Sequence, residues 1–191
     1  MIPLNIPNII TLSRIITIPF IVGIFYFPDD LISFSAKNVT ATTIFIFAAV
    51  TDWLDGYLAR KLNQMSAFGA FLDPVADKLF VVGALVVLLY LGRVDPLVAL
   101  IIIGREIAIS ALREWMAKVG QAKSVAVAFI GKLKTVMQMI AIPLLLYNDW
   151  LFDLIDCQWL GTILINVAAV LTVASMLYYL RQALPYASDS R

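Results

Sequence analysis

The feature that most constrains the fold is a series of six long apolar stretches. Each of them approaches or exceeds the roughly 20 residues that a helix needs to cross the hydrocarbon core of a bilayer. Because the stretches are continuously apolar, without the alternation of barrel strands, we predict helices. The polar breaks between them are too short to form a separate domain. The sequence therefore predicts an all-α integral membrane protein of six transmembrane helices, with one domain over residues 1–191 and spans near residues 9–27, 39–60, 67–91, 95–115, 125–147 and 159–180.

Composition supports a membrane location and limits the possible metal chemistry. Hydrophobic residues make up 62% of the chain, against roughly 45–50% in soluble proteins. The net charge of +1 gives no indication of a nucleic-acid partner, and we predict none. Because the chain has no histidine and only Cys157, it has no nitrogen and sulfur ligand set for zinc or haem. Any bound metal must therefore have oxygen ligands.

The positions of the basic residues predict the orientation in the membrane. If both termini are cytoplasmic, all of the 14 basic residues except Lys37 and Arg93 fall in or toward the cytoplasmic half. This distribution follows the positive-inside rule. We therefore predict that both termini lie in the cytoplasm.

Four carboxylates lie within or against apolar stretches, as Asp52, Asp55, Asp73 and Asp77. A charge at the centre of a membrane helix costs about 2.5–3.5 kcal/mol, so four of them need partners. Each pair is spaced to share one helix face, and an antiparallel helical hairpin would bring the two faces together. Carboxylates alone suit a hard cation, so the pattern predicts an Mg²⁺ or Mn²⁺ site.

Small residues and an arginine stand beside these acids. Gly56, Ala59 and Gly69 are typical of close packing between membrane helices, but they would also let a flat nucleotide approach the backbone. Arg60 could extend its charge to the membrane surface or hold a diphosphate. Their spacing beside the acids favours the ligand-binding interpretation.

The acids and their neighbours form the pattern Asp-x2-Asp-Gly-x2-Ala-Arg-x8-Gly-x3-Asp-x3-Asp, complete from Asp52 to Asp77. In this pattern the chain resembles the CDP-alcohol phosphotransferases. Residues 5–14, 105–115 and 131–135 resemble the members of that family that use glycerol 3-phosphate as acceptor. The resemblance therefore covers most of the chain.

The resemblance implies a reaction and roles for individual residues. CDP-diacylglycerol and glycerol 3-phosphate would give phosphatidylglycerophosphate and CMP. Asp77 would be the general base and would also contact the metal, with Asp52, Asp55 and Asp73 as the other ligands. The implied CDP site consists of Asp52, Gly56, Ala59, Arg60 and Gly69. The family also implies a homodimer among membrane lipids in the bacterial inner membrane, with its active site facing the cytoplasm.

The phosphate of the acceptor needs basic partners near the acids. Arg105 and Arg113 lie eight residues apart on one side of the fourth span. Arg105 is deep enough in the membrane to require a partner, either Glu106 or a ligand phosphate. The predicted acceptor-phosphate residues are Arg105, Arg113, Lys132, Lys134 and Arg14.

Two kinds of alternative remain open at the level of the sequence. An ion-coupled transporter also places carboxylates among membrane helices, but its sites usually lie on broken helices in paired repeats, and no repeat is visible here. Within the family, other members use inositol phosphate, serine or phosphatidylglycerol as acceptor. The shared acidic motif does not separate these acceptors.

Overall fold

Six α-helices follow one another in the computed structural model, which describes the backbone of residues 6–61, 67–120 and 129–188. Side chains are described for residues 8–52, 68–120 and 130–186. The helices are α1 (Ile6–Gly23), α2 (Phe34–Lys61), α3 (Ala67–Tyr90), α4 (Pro96–Lys118), α5 (Phe129–Tyr147) and α6 (Cys157–Ser188). A short 3₁₀ turn, Ile24–Tyr26, extends α1. The predicted all-α membrane class is confirmed.

Four of these helices contain a segment long and apolar enough to cross a membrane within the described residues. The segments are Asn8–Tyr26, Phe34–Asp52, Ile130–Tyr147 and Cys157–Tyr186. Helices α3 and α4 have the length of a span but carry charges in their interiors, among them Asp77 and Arg105. The count of six spans and the cytoplasmic side of the termini therefore stay predictions.

The helices pack around a core of small and aliphatic side chains. Helix α1 packs against α2 and α3, α5 packs against α2 and most extensively against α6, and α4 packs against α6. The rings of Phe45 and Phe80 stack between α2 and α3, with centroids 4.5 Å apart. A Cβ added at Gly161 of α6 would lie 2.8 Å from Cγ of Leu145 on α5. Glycine therefore permits the close approach of these two helices.

A short β-hairpin joins α5 to α6, where the sequence showed only a polar break. Its strands are β1 (Trp150–Leu151) and β2 (Ile155–Asp156), paired antiparallel. Phe152 and Asp153 in the turn have positive φ angles of 54° and 56°. The tight reversal exposes Phe152 at the tip.

The two basic residues that depart from the positive-inside pattern are both buried. Lys37 Nζ donates to the carbonyl of Phe27 and to Asp29 Oδ1. Arg93, in the turn between α3 and α4, donates to carbonyl groups at the end of α5. Burial lowers the pKa of Arg93 to about 10, so it is still charged at neutral pH. Each cation thus has a local structural role.

Candidate active site

Helix α1 brings two polar side chains against the carboxylates of α2 and α3. Arg14 Nη1 lies 2.6 Å from Asp52 Oδ1 and 2.6 Å from Asp77 Oδ1. One turn earlier on α1, Thr11 Oγ1 donates to Asp73 Oδ1 at 2.8 Å. The side chain of Arg14 is only 1% exposed, whereas Asp77 is 50% exposed. The acids therefore face an open space while α1 covers them from behind.

This arrangement is consistent with cation binding by the acidic residues. Oxygens of Asp52 and Asp77, on different helices, converge on one cationic nitrogen atom, as the predicted hairpin requires. Carboxylate oxygens are the ligands that Mg²⁺ and Mn²⁺ prefer. Among the described side chains, no three acidic groups form a ready ligand set. The side chain of Asp55, the fourth predicted ligand, lies outside them.

Asp52 and Asp77 line a cavity of about 550 Å³ to which α4, α5 and α6 also contribute side chains, whereas Asp73 is not among its described lining residues. Its described lining includes five basic and three acidic side chains, so positive charge is in excess. An excess of positive charge in a partly enclosed site favours anionic ligands such as phosphates. The charged lining residues are Arg14, Lys78, Arg105, Arg113 and Lys134, with Asp52, Asp77 and Glu106.

The basic side of the cavity is built around a buried aromatic ring. The guanidinium carbons of Arg105 and Arg113 lie 5.9 and 5.6 Å from the centroid of the Tyr179 ring. Such distances allow cation–π attraction. Glu106 accepts a hydrogen bond from Lys134 Nζ and lies 3.4 Å from Arg105 Nη1. The ring and the carboxylate hold the three cations together although the cations repel one another.

Two buried nitrogen atoms in this region have no hydrogen-bond partner among the described residues. They are Nε of Arg105 and Nε of Arg113. Leaving a buried polar group unsatisfied costs about 1–3 kcal/mol, and more for a charged group. Unsatisfied donors on two neighbouring guanidinium groups therefore indicate a place for an anion.

The structure brings most of the predicted phosphate-binding residues together but separates Lys132 from them. Arg105, Arg113 and Lys134 all line the cavity, whereas Lys132 is exposed and is not among its described lining residues. Positions two apart on a helix point to different sides, so Lys132 and Lys134 do not share a face. Arg14 also lines the cavity, but its ion pairs are with the acids. Contact of Lys132 or Arg14 with the acceptor stays a prediction.

The predicted CDP site is described only in part. Asp52 lines the cavity, and Gly69 is buried in the first turn of α3. The side chains of the remaining predicted residues lie outside the described ranges, so their roles stay predictions. These residues are Gly56, Ala59 and Arg60.

Sequence reasoning missed Thr11, Ser175 and Tyr179. The i,i+3 spacing of Thr11 and Arg14 places both on one face of α1, and this spacing could have identified Thr11. Ser175 Oγ lies 3.4 Å from Arg105 Nη2, and Tyr179 lies under two guanidinium groups. No sequence pattern indicates either of them, because the packing of α6 against α4 brings them to the site.

Fold and site together define a helical membrane protein in which acidic side chains and a cluster of basic side chains share one cavity. The family model for CDP-alcohol phosphatidyltransferases matches residues 4–174, so the chain belongs to that family.

Curated relatives align along nearly the whole chain. Relatives from Salmonella choleraesuis (strain SC-B67) and Escherichia coli (strain K12) are 49% and 50% identical over 183 residues, covering 94% of this chain and 94% of each relative. A relative from Shigella flexneri is also 50% identical over 183 residues. All three carry the name CDP-diacylglycerol–glycerol-3-phosphate 3-phosphatidyltransferase.

Proposed function

We propose that this protein transfers the phosphatidyl group of CDP-diacylglycerol to glycerol 3-phosphate, giving phosphatidylglycerophosphate and CMP. The observation that carries the proposal is the shared cavity, in which Asp77 and the cationic group of Arg105, Arg113 and Lys134 are all lining residues. The proposal is also supported by relatives that share about half of their residues with this chain and are named for this reaction. No comparable observation favours the transporter alternative.

In the proposed mechanism, Asp77 accepts the proton of the acceptor hydroxyl. The hydroxyl oxygen attacks the lipid-side phosphorus of the diphosphate and forms a new P–O bond. The bond between that phosphorus and the oxygen of CMP breaks, and CMP leaves with its phosphate. Arg14 Nη1 holds the Asp77 carboxylate from the side of α1. A positioned general base of this kind contributes about 10²–10⁴-fold to a rate.

Arg105 and Arg113 would bind the phosphate of glycerol 3-phosphate. Guanidinium groups form short, charge-assisted hydrogen bonds to phosphate oxygens. The two unsatisfied Nε atoms supply donors for these bonds. The ring of Tyr179, which is fully buried, would keep both guanidinium groups in place before the ligand arrives. The acyl chains would stay in the bilayer while the headgroup enters the cavity.

The acidic residues would hold a divalent cation, Mg²⁺ or Mn²⁺. Asp52, Asp73 and Asp77 are the described candidates, and the resemblance adds Asp55. When bound, such an ion supplies Lewis-acid neutralisation of charge on the diphosphate and on the leaving CMP. We also propose that the protein forms a homodimer in the bacterial inner membrane. Its cavity would open to the cytoplasm, from which glycerol 3-phosphate enters and into which CMP is released.

The proposal is tested by CMP release from CDP-diacylglycerol by the purified protein in lipid nanodiscs with Mg²⁺. Glycerol 3-phosphate, inositol phosphate, serine and phosphatidylglycerol are offered in turn. We expect turnover with glycerol 3-phosphate alone. Turnover with another acceptor would reassign the protein within its family, and a folded preparation active with none of them would overturn the proposal.

Arg105→Ala should weaken the use of glycerol 3-phosphate far more than the use of CDP-diacylglycerol. Loss of a charge-assisted hydrogen bond of about 1.5–3 kcal/mol corresponds to a rise of roughly 10–100-fold in the KM for the acceptor. Steady-state kinetics with each substrate varied in turn measures both values. Lys118→Ala is the matched control, because Lys118 is exposed on the same helix and pairs with Glu114. An equal loss for both substrates would contradict an acceptor role for Arg105.

A further inference from the structure

We propose that Gln138 determines acceptor specificity by hydrogen bonding to the hydroxyl of glycerol 3-phosphate that does not react. This inference rests on the proposed function and extends it. Gln138 lies on α5, lines the cavity of the candidate active site and is only 3% exposed. Its Oε1 atom is buried and has no hydrogen-bond partner among the described residues.

The position of Gln138 relates it to the phosphate-binding residues. It stands four residues after Lys134, so the two side chains lie on the same face of α5, one turn apart. Both side chains line the same cavity as Arg105 and Arg113. A phosphate held at the cations would therefore lie within about one helical turn of Gln138.

The unsatisfied groups of the cavity match the chemistry of a phosphorylated alcohol. The two arginine Nε atoms are donors and suit phosphate oxygens, which only accept. An amide offers one acceptor oxygen and two donor hydrogens, and a hydroxyl both donates and accepts. A hydroxyl can therefore form a hydrogen bond with Gln138 whether the amide oxygen or the amide nitrogen of Gln138 faces it.

Burial makes this contact selective. In a site built to hydrogen bond a hydroxyl, an analogue without that hydroxyl leaves the buried polar group unpaired. Glycerol 3-phosphate has one hydroxyl for attack on the phosphorus and a second that is retained in the product. The retained hydroxyl, on the central carbon, is the group that we assign to Gln138.

The test compares glycerol 3-phosphate with propane-1,3-diol monophosphate, which keeps the reacting hydroxyl and lacks the central one. Kinetics are measured for the full-length protein in nanodiscs. We expect the wild type to prefer glycerol 3-phosphate by about tenfold or more in kcat/KM. Gln138→Met, which keeps the volume but loses the polar group, should lower kcat/KM for glycerol 3-phosphate by about tenfold and leave that for the analogue unchanged.

Two further variants separate specificity from packing. Gln138→Glu keeps an acceptor oxygen at the same place and should retain the preference for the central hydroxyl, even if its added charge weakens both acceptors. Val136→Met, on the exposed face of α5, should behave as the wild type.

Several outcomes would overturn the assignment. They are a wild type without preference, a Gln138→Met variant that loses activity equally with both acceptors, or a Gln138→Glu variant without the preference. Failure of the wild type to use glycerol 3-phosphate at all would instead contradict the proposed function, so the two failures are distinguishable.

Discussion

Asp77→Asn should lower kcat by about 10²–10⁴-fold, the contribution of a positioned general base. An asparagine has nearly the shape of the aspartate and keeps an oxygen that can accept from Arg14 Nη1, now at 2.6 Å. It cannot take a proton from the acceptor hydroxyl. The fold should therefore be retained while turnover is lost. Single-turnover measurement of CMP release, with saturating glycerol 3-phosphate, reports the chemical step.

The controls for Asp77 separate a loss of chemistry from a loss of folding. Asp153→Asn changes an exposed residue of the hairpin turn, at a positive φ that asparagine tolerates well, and should be fully active. Thermal unfolding of Asp77→Asn should stay close to that of the wild type. A folded Asp77→Asn variant with wild-type turnover would exclude Asp77 as the base.

Arg93→Ala should destabilise the protein by on the order of 3 kcal/mol, through loss of hydrogen bonds to buried acceptors. Arg93 Nη1 donates to the carbonyl groups of Leu145 and Leu146 at 3.0 and 2.7 Å, and Nη2 donates to Asn38 Oδ1 at 2.8 Å. The two carbonyls belong to the last turn of α5, where helical partners are missing. The guanidinium also lies 5.4 Å from the ring centroid of Phe34. The midpoint of thermal unfolding in detergent measures the effect.

The variant Arg93→Lys tests the geometry of this contact. A lysine keeps the charge but lacks the planar fork that reaches several acceptors at once, so it should recover only part of the lost stability. Arg181→Ala, at an exposed position of α6, is the control and should change the free energy of unfolding little. Equal stability of Arg93→Ala and the wild type would show that the three acceptors find other partners.

The acidic centre was predictable because its signals are local. A charge in an apolar stretch is conspicuous, and the spacing of Asp73 and Asp77 specifies one helix face without any tertiary information. The same reasoning identified Arg105 as a deep cation that needs a partner. It left that partner open as Glu106 or a ligand phosphate. In the structure Arg105 Nη1 lies 3.4 Å from Glu106, and Ser175 and Tyr179 on α6 are further contacts. These two contacts are long-range, and spacing along one helix gives no information about which other helix packs against it.

The sequence by itself determined the class of protein, its six helices and the residues of its acidic motif. Backbone groups in a bilayer must be satisfied within each segment, so apolar length and helical spacing are nearly sufficient for those features. Only the tertiary structure decided that Arg14 pairs with Asp52 and Asp77. It also decided that Lys134, and not Lys132, is among the described residues that line the cavity, and that the ring of Tyr179 lies against Arg105 and Arg113. The tertiary structure also decided that Gln138 is buried in the same cavity as Arg105 and Arg113. These features depend on which helix faces pack together, and the spacing of residues along one helix does not specify which other helix packs against it.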